Sequence, residues 1–382
     1  MKKTLLLLFI VFNLLFPTKV NAISDPLSVS NNKIGIHILF PSEIKDAAKL
    51  VNSSNGDWGY ITIPIRSSNK NLDEWQKFMD ECKKNHLIPI IRLATDGDYF
   101  NTKVWEKPSL NSVLDFANFL NSLEWPTKNK YVIVFNEVNR GDEWGGKADP
   151  QEYAEILSYA VTVFKSKNQD FFIISSGMDN AAANKPPEYI DKFAFFWDME
   201  KAVPGIFNQI DGLSSHSYPN PGFCQPPSVL TNKSIASFSF EKDYISNFTD
   251  KNLPVFITET GWTLKSFSDT QIGNFYRTAI NGIWNDKDIV AITPFILNAG
   301  TEPFAQFSMM TPDGKENAIY KAISDIKKDK GEPELENKKD VLSNTVVKEI
   351  PVKKFSKLKK QESVVSTKKS IVLVLKWLLR ID

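Results

Sequence analysis

Two stretches decide how this chain is read: Tyr131-Val-Ile-Val-Phe-Asn136-Glu137 and Leu253-Pro-Val-Phe-Ile-Thr258-Glu259-Thr-Gly-Trp262. Each is a short apolar, β-branched run that ends on a glutamate. Such near-continuous runs read as strands buried on both faces, the signature of a parallel sheet. Working outward, similar runs occur at 34–40, 60–65, 87–93, 171–175, 210–214 and 289–295, which makes eight in all. Between them lie stretches with helical spacing at 42–52, 72–85, 110–123, 153–165 and 270–284; Trp75, Phe78, Met79 and Cys82 share one face of the second. Asp149-Pro150 and Ser268-Asp269 are helix-start signals. Strands alternating with helices in this way predict an α/β fold, a (β/α)₈ TIM barrel. An open doubly wound sheet would carry a Gly-rich phosphate loop after its first strand, and Ile36-His37-Ile38-Leu39 has none. The segments 178–204 and 218–230, rich in Pro, Gly and aromatics, read as loops that wall the mouth of the barrel.

The chain ends read differently from its body. Lys2 and Lys3, an apolar run from Leu5 to Phe16 and the small-residue site Val20-Asn21-Ala22 predict a signal peptide over 1–22, and hence a secreted or envelope-associated protein. The barrel is expected over 23–325. Residues 326–370, Lys/Glu-rich and without a sustained period, predict a disordered basic tail. The apolar end, 371–382, is too short to span a bilayer; it either docks on the barrel or lies at a membrane interface beside the basic residues. Residues 321–382 hold 16 basic and 9 acidic groups, while 23–320 hold 27 basic and 36 acidic. An acidic body argues against a nucleic-acid partner and suits a neutral carbohydrate. The tail leaves contact with an envelope or membrane surface as an expectation; the oligomeric state is not specified. Cys82 and Cys224, the two cysteines, are open to pairing but do not make a disulfide scaffold.

Carboxylates at the C-terminal ends of strands 4 and 7 face each other across an eight-stranded barrel, where such barrels place their chemistry. Cleaving a glycosidic bond with retention needs two carboxyl groups about 5–5.5 Å apart, one protonated to serve the leaving oxygen and one ionised to attack the anomeric carbon. Glu137 and Glu259 fit that requirement. Asp142, Glu143 and Asp179 also follow strands and compete for attention. His37, Asp179 and His216 form a thin set for a metal-dependent hydrolase, without the His-x-His pair such sites favour. Ser175-Ser176-Gly177 does not provide a serine nucleophile elbow. The expectation is therefore no metal and no cofactor.

The motifs resemble the large clan of retaining glycoside hydrolases with (β/α)₈ barrels. In that clan an Asn-Glu pair ends strand 4 with the Glu as acid/base, and a second Glu ends strand 7 as nucleophile; Asn136-Glu137 and Glu259 match. The resemblance spans roughly 33–300. It implies that Asn136 bonds the sugar 2-hydroxyl. It also implies that Ser215-His216-Ser217-Tyr218 holds the clan's His-x-Tyr, whose Tyr218 contacts the nucleophile. The stretch from Asn136 to Asn139, followed by Trp144 and Tyr153, is most similar to the xylosidase- and iduronidase-like branch. The chain departs from the clan at Val138, where many members have proline, and at Phe295, where many have a tryptophan ending strand 8.

The remaining candidates follow from chemistry. Glu259 must stay ionised, and Arg92 at the end of strand 3 is the expected cation beside it. His37 is either a sugar-hydroxyl ligand or an interior histidine. Trp262, Trp144 and Trp197 are candidate stacking platforms for sugar rings, Trp262 foremost because it follows the nucleophile. A carbohydrate-binding barrel without turnover is the competing reading to an enzyme.

Overall fold

The structure is a computed structural model and describes residues 23–97, 104–300 and 302–336. The signal peptide, the tail beyond 336 and the apolar end lie outside the described residues.

Eight parallel strands follow one another: β1 Gly35–His37, β2 Gly59–Arg66, β3 Leu87–Ala94, β4 Lys130–Ile133, β5 Phe171–Ile174, β6 Leu213–His216, β7 Val255–Glu259 and β8 Ile289–Ile292. They pair in sequence order as β1 to β5 and as β6 to β8. Parallel bridges Ile34↔Ile292 and Ile174↔Gly212 join the two groups and close the barrel. Helices cover the outside: α1 Ile44–Val51, α2 Leu72–Lys84, α3 Leu110–Asn121, α4 Pro150–Lys167, α5 Lys192–Ala202, α6 Ile206–Gln209, α7 Ser237–Ile245, α8 Asp269–Asn281 and α9 Ala318–Ser324. The helix-start signals act as read. Asp149 Oδ1 accepts the Glu152 N–H at 3.1 Å at the head of α4, and Ser268 Oγ accepts the Gln271 N–H at 3.3 Å at the head of α8.

Strand alternation divides the core in two. Tyr60, Ile88, Ile90, Tyr131, Ile133, Phe172, Ile174 and Phe256 form one cluster filling the barrel. Ile61, Ile63, Leu87, Ile91, Val132, Ile173, Val255 and Ile257 join the larger cluster under the helices. Arg92 continues the inward series of Ile88 and Ile90, so its guanidinium emerges inside the barrel at the C-terminal end.

Three expectations are corrected. The segment 178–204 is not a plain loop, since α5 lies within it, capped by Asp191. Aromatic residues on several of its faces hide the helical period. The sixth strand lies further along than 210–214, because Leu213-Ser-Ser-His216 is paired though mostly polar. Its hydroxyls find partners just outside the strand, Ser214 with Thr258 of β7 at 2.5 Å and Ser215 with Ser217 at 2.9 Å. Finally, the ordered body does not stop at 325. Residues 326–336 cross the N-terminal face through bridges Asp57↔Lys330 and Thr127↔Leu335. There Lys130, 2% exposed, is ion-paired to Glu336 at 2.5 Å.

Candidate active site

The glutamates reach the barrel mouth because the backbone breaks its own alternation just before each. In β7, Phe256 and Thr258 point inward, so regular pleating would send Glu259 towards the helices. A register shift between Ser215 and His216 pairs His216 with Glu259 after pairing Ser215 with Ile257. The extra β7 residue is a bulge, and it returns Glu259 to the inside. After β4, Phe135 and Glu137 adopt φ of 67° and 34°. Such left-handed backbone is uncommon for these residue types and gathers at functional sites. It turns Phe135 outward against Trp144, with ring centroids 5.7 Å apart, and leaves Asn136 and Glu137 on the mouth.

Asn136, Glu137 and Glu259 line a cavity of about 350 Å³. One oxygen from each glutamate and a ring nitrogen of His216 lie within 4.8 Å of one another. His216 Nδ1 is hydrogen-bonded to Glu137 Oε1 at 2.9 Å and stands 3.7 Å from Glu259 Oε2. Tyr218 donates to Glu259 Oε2 at 3.0 Å. Arg92 Nη1 donates to Glu259 Oε1 and also to Asn136 Oδ1, the latter at 2.7 Å. With that oxygen engaged, the Asn136 amide group is left to donate.

These partners settle the charge on Glu259. Burial pushes its carboxyl up, but the charges of His216 and Arg92 outweigh burial and hold it well below the usual carboxylate range. For His216 burial works downward, yet the Glu259 charge and the bond to Glu137 raise it above the ordinary imidazole value. His37 goes the other way: burial first, then the Arg92 charge, bring it down to about 3, so it is neutral. It is fully buried, makes no hydrogen bond through either ring nitrogen, and has Nε2 3.7 Å from Glu259 Oε1. With no exposed surface it is an interior histidine, packed edge-on to Phe295 at 5.0 Å.

The tryptophan platforms are corrected. Trp262 and Trp144 are each 1% exposed. The Trp262 indole N–H donates to Gln225 O at 2.7 Å, and its ring packs on Tyr276 at 5.1 Å. The Trp144 indole N–H donates to Glu152 at 3.1 Å behind Phe135. Both are core residues under the βα loops. Trp197 is 54% exposed but sits on α5 against Phe248, outside this cavity.

Several lining residues had no motif to announce them. Trp105, Phe223, Phe304 and Phe307 join Phe295, Tyr218 and Leu39 as an aromatic and aliphatic wall. On the Glu137 side the wall is charged. Arg140 bonds Asp142 at 2.7 Å and Asp179 at 3.3 Å, and lies 3.6 Å from Glu137 Oε2. Glu143 lines the same side; burial, then the Glu137 charge, push its carboxyl well above the ordinary range, so it carries a proton at neutral pH. The one available signal was Arg140 three residues beyond Glu137.

Cys82 and Cys224 are both free. Among the described residues, Glu137, His216 and Glu259 are the set whose donor atoms converge as for a metal, rather than His37, Asp179 and His216. The Arg92 guanidinium bound to Glu259 puts a fixed positive charge against any cation there.

The sequence matches the glycosyl hydrolase catalytic core family over residues 98–322, more than half of the chain. No curated protein matches it. Among solved structures, it superposes on a family 39 glycoside hydrolase from the gut symbiont Bacteroides cellulosilyticus WH2 with a TM-score of 0.53 at 16% identity, covering 80% of this chain and 64% of that one. A GH39 β-xylosidase from Caulobacter crescentus gives a TM-score of 0.54 at 14% identity, covering 80% and 72%. A GH5_18 protein from Bifidobacterium longum subsp. infantis gives 0.56 at 11%, covering 78% of each. The chain thus spans a little under two thirds of the first of these relatives, and at such identities the likeness is one of fold. With the family matched across strands 4 to 8 and the glutamate pair at the mouth, the chain belongs to the glycosyl hydrolase catalytic core family, a glycoside hydrolase of the (β/α)₈ barrel type.

Proposed function

We propose that this protein hydrolyses β-glycosides with retention of configuration, Glu259 acting as nucleophile and Glu137 as acid/base, on an oligo- or polysaccharide. The observation that carries the reading is the facing of the two carboxylates, with one oxygen of each within 4.8 Å. That approach supports the retaining arrangement, whose carboxyl groups stand about 5–5.5 Å apart, over the inverting one at about 6.5–9.5 Å.

The steps follow from the contacts. Glu259, ionised and aligned by Arg92 and Tyr218, attacks the anomeric carbon while Glu137 gives its proton to the leaving oxygen. The Asn136 amide donates to the sugar 2-hydroxyl. Glu137, now a carboxylate, removes a proton from water, which attacks the glycosyl ester and frees Glu259. Arg140 and Glu143, on the Glu137 side, stand where the leaving group departs.

Proton NMR of the first-formed sugar tests the reading, using whichever aryl β-glycoside from a xyloside, glucoside, galactoside, mannoside and glucuronide panel is cleaved. The β-anomer is expected first; a first-formed α-anomer overturns retention. Export after Ala22, with the basic tail at an anionic envelope, belongs to the same proposal and rests on the sequence of 1–22 and 338–382. A mature chain starting at Ile23 by mass spectrometry is its expected mark.

A further inference from the structure

The barrel has a seam. Its strands form two hydrogen-bonded groups, β1 to β5 and β6 to β8, and the β5–β6 seam is crossed low down, by the bridge Ile174↔Gly212 and the backbone bonds of Asp211 and Gly212 N–H to Ile173 O and of Ser175 N–H to Gly212 O. The proposed acid/base Glu137 belongs to the first group and His216, its hydrogen-bond partner, to the second. The paired part of the ladder ends at Ser175 and Gly212, below the mouth where Glu137 and His216 meet.

Gly177, three residues beyond β5, touches both. Its carbonyl accepts the Glu137 N–H at 3.0 Å, fixing the residue whose φ is 34°. Its α-carbon lies against the His216 ring. A β-carbon added there would stand 2.2 Å from Cδ2, 2.5 Å from Nε2 and 2.9 Å from Cγ of His216, and these are the three nearest atoms. The backbone of Gly177 is not in the left-handed region, so the glycine answers a need for space and not for conformation. The ring has nowhere to retreat, being 1% exposed. Carbon contacts relax only near about 3.5–4.0 Å, so a methyl would drive the imidazole more than about 1 Å from its place between the glutamates.

We propose that Gly177 is a positioning residue for the acid/base: by lacking a side chain it lets His216 reach Glu137 across the seam, and its carbonyl holds Glu137 to receive it. The kinetic part of this inference rests on the reading of Glu137 given above; the placement of the ring does not.

The test is a double-mutant cycle of Gly177→Ala and His216→Ala, read by kcat on a cleaved aryl glycoside and by long-range proton–nitrogen NMR of the imidazoles. The chain has only three histidines, so loss of one set of signals in His216→Ala assigns that ring. Gly177→Ala is expected to lower kcat by about 10²-fold, the usual loss for a misplacement of about 1 Å. Its His216 ring-nitrogen signals should move. The double variant should be no slower than His216→Ala alone, because the atoms that clash are gone. If Gly177→Ala does not fold, the double variant should fold for the same reason. The inference is overturned by wild-type His216 signals in Gly177→Ala, by losses that multiply in the double variant, or by a double variant that fails to fold. If the wild type cleaves no glycoside, the functional reading fails and the NMR arm alone decides the inference.

Discussion

Glu259 is touched by Arg92, His216 and Tyr218, and the first two decide the pH range over which it stays ionised. Removing Arg92 leaves burial with less opposition, so the carboxyl rises. Arg92→Met should move the acidic limb of kcat/KM upward by about 1–3 pH units, the range by which an adjacent arginine lowers a carboxylate, together with a lower kcat. An unmoved limb would show that Arg92 does not set the charge. Glu143 offers the opposite case. Its folded-state value lies above the unfolded one, near about 4.3, so between the two the folded protein holds a proton that the unfolded chain has lost. Wild-type stability therefore falls as pH rises through that window. Glu143→Gln, which mimics the protonated acid, should unfold at a progressively higher temperature than wild type from about pH 5 to 8. A constant difference would contradict the protonated state. At this scale the sequence told much: Glu137, Asn136, Arg92, His216 and Tyr218 all meet at one mouth. The tryptophans misled, because an indole next to a catalytic motif serves equally well as core. Trp262 and Trp144 turn away from the cavity with their N–H groups bonded inside the protein.

Elements were legible wherever one physical signal dominated. The runs at 60–65 and 87–93 became β2 and β3 because apolar, β-branched residues filled both faces. Two features were hidden. β6 is built from serines whose burial depends on partners in β7 and α7, which no local pattern reveals. The bulge in β7 is equally silent, since alternation read forward from Phe256 sends Glu259 to the wrong side. Helix α5 was masked by its aromatics and is anchored by a buried ion pair, Lys192 to Glu241 of α7 at 2.6 Å, with the two side chains 2% and 1% exposed. Cutting one partner strands the other charge. Lys192→Met should lower the unfolding free energy by about 3–5 kcal/mol, while Lys192→Met with Glu241→Leu should recover most of it. Urea unfolding of the three proteins checks this, and equal losses in single and double variants would contradict it.

The described residues form a barrel whose N-terminal face is covered by its own flanking segments and whose C-terminal face carries the site. Composition suggested that the body ends near 325, because the Lys- and Glu-rich stretch beyond it has no period. Pairing decides otherwise: Lys328 Nζ donates to the carbonyls of Ile323, Ser324 and Ile326 and to the Ser53 hydroxyl, and Glu336 neutralises Lys130. A chain truncated after Asn337 keeps all of these contacts and serves as the reference. One truncated after Asp325 should be less stable, since it loses buried Ile326, the Lys328 hydrogen bonds and the bridges Asp57↔Lys330 and Thr127↔Leu335; equal stability of the two would contradict that account. The central claim is that the glutamate ending β7 attacks the sugar. Its most direct test is the turnover of a cleaved aryl β-glycoside by wild type and Glu259→Ala, with and without azide. The account predicts that hydrolysis falls to background in the variant and that azide restores release of the phenol, giving the α-glycosyl azide. Wild-type turnover by Glu259→Ala would contradict it.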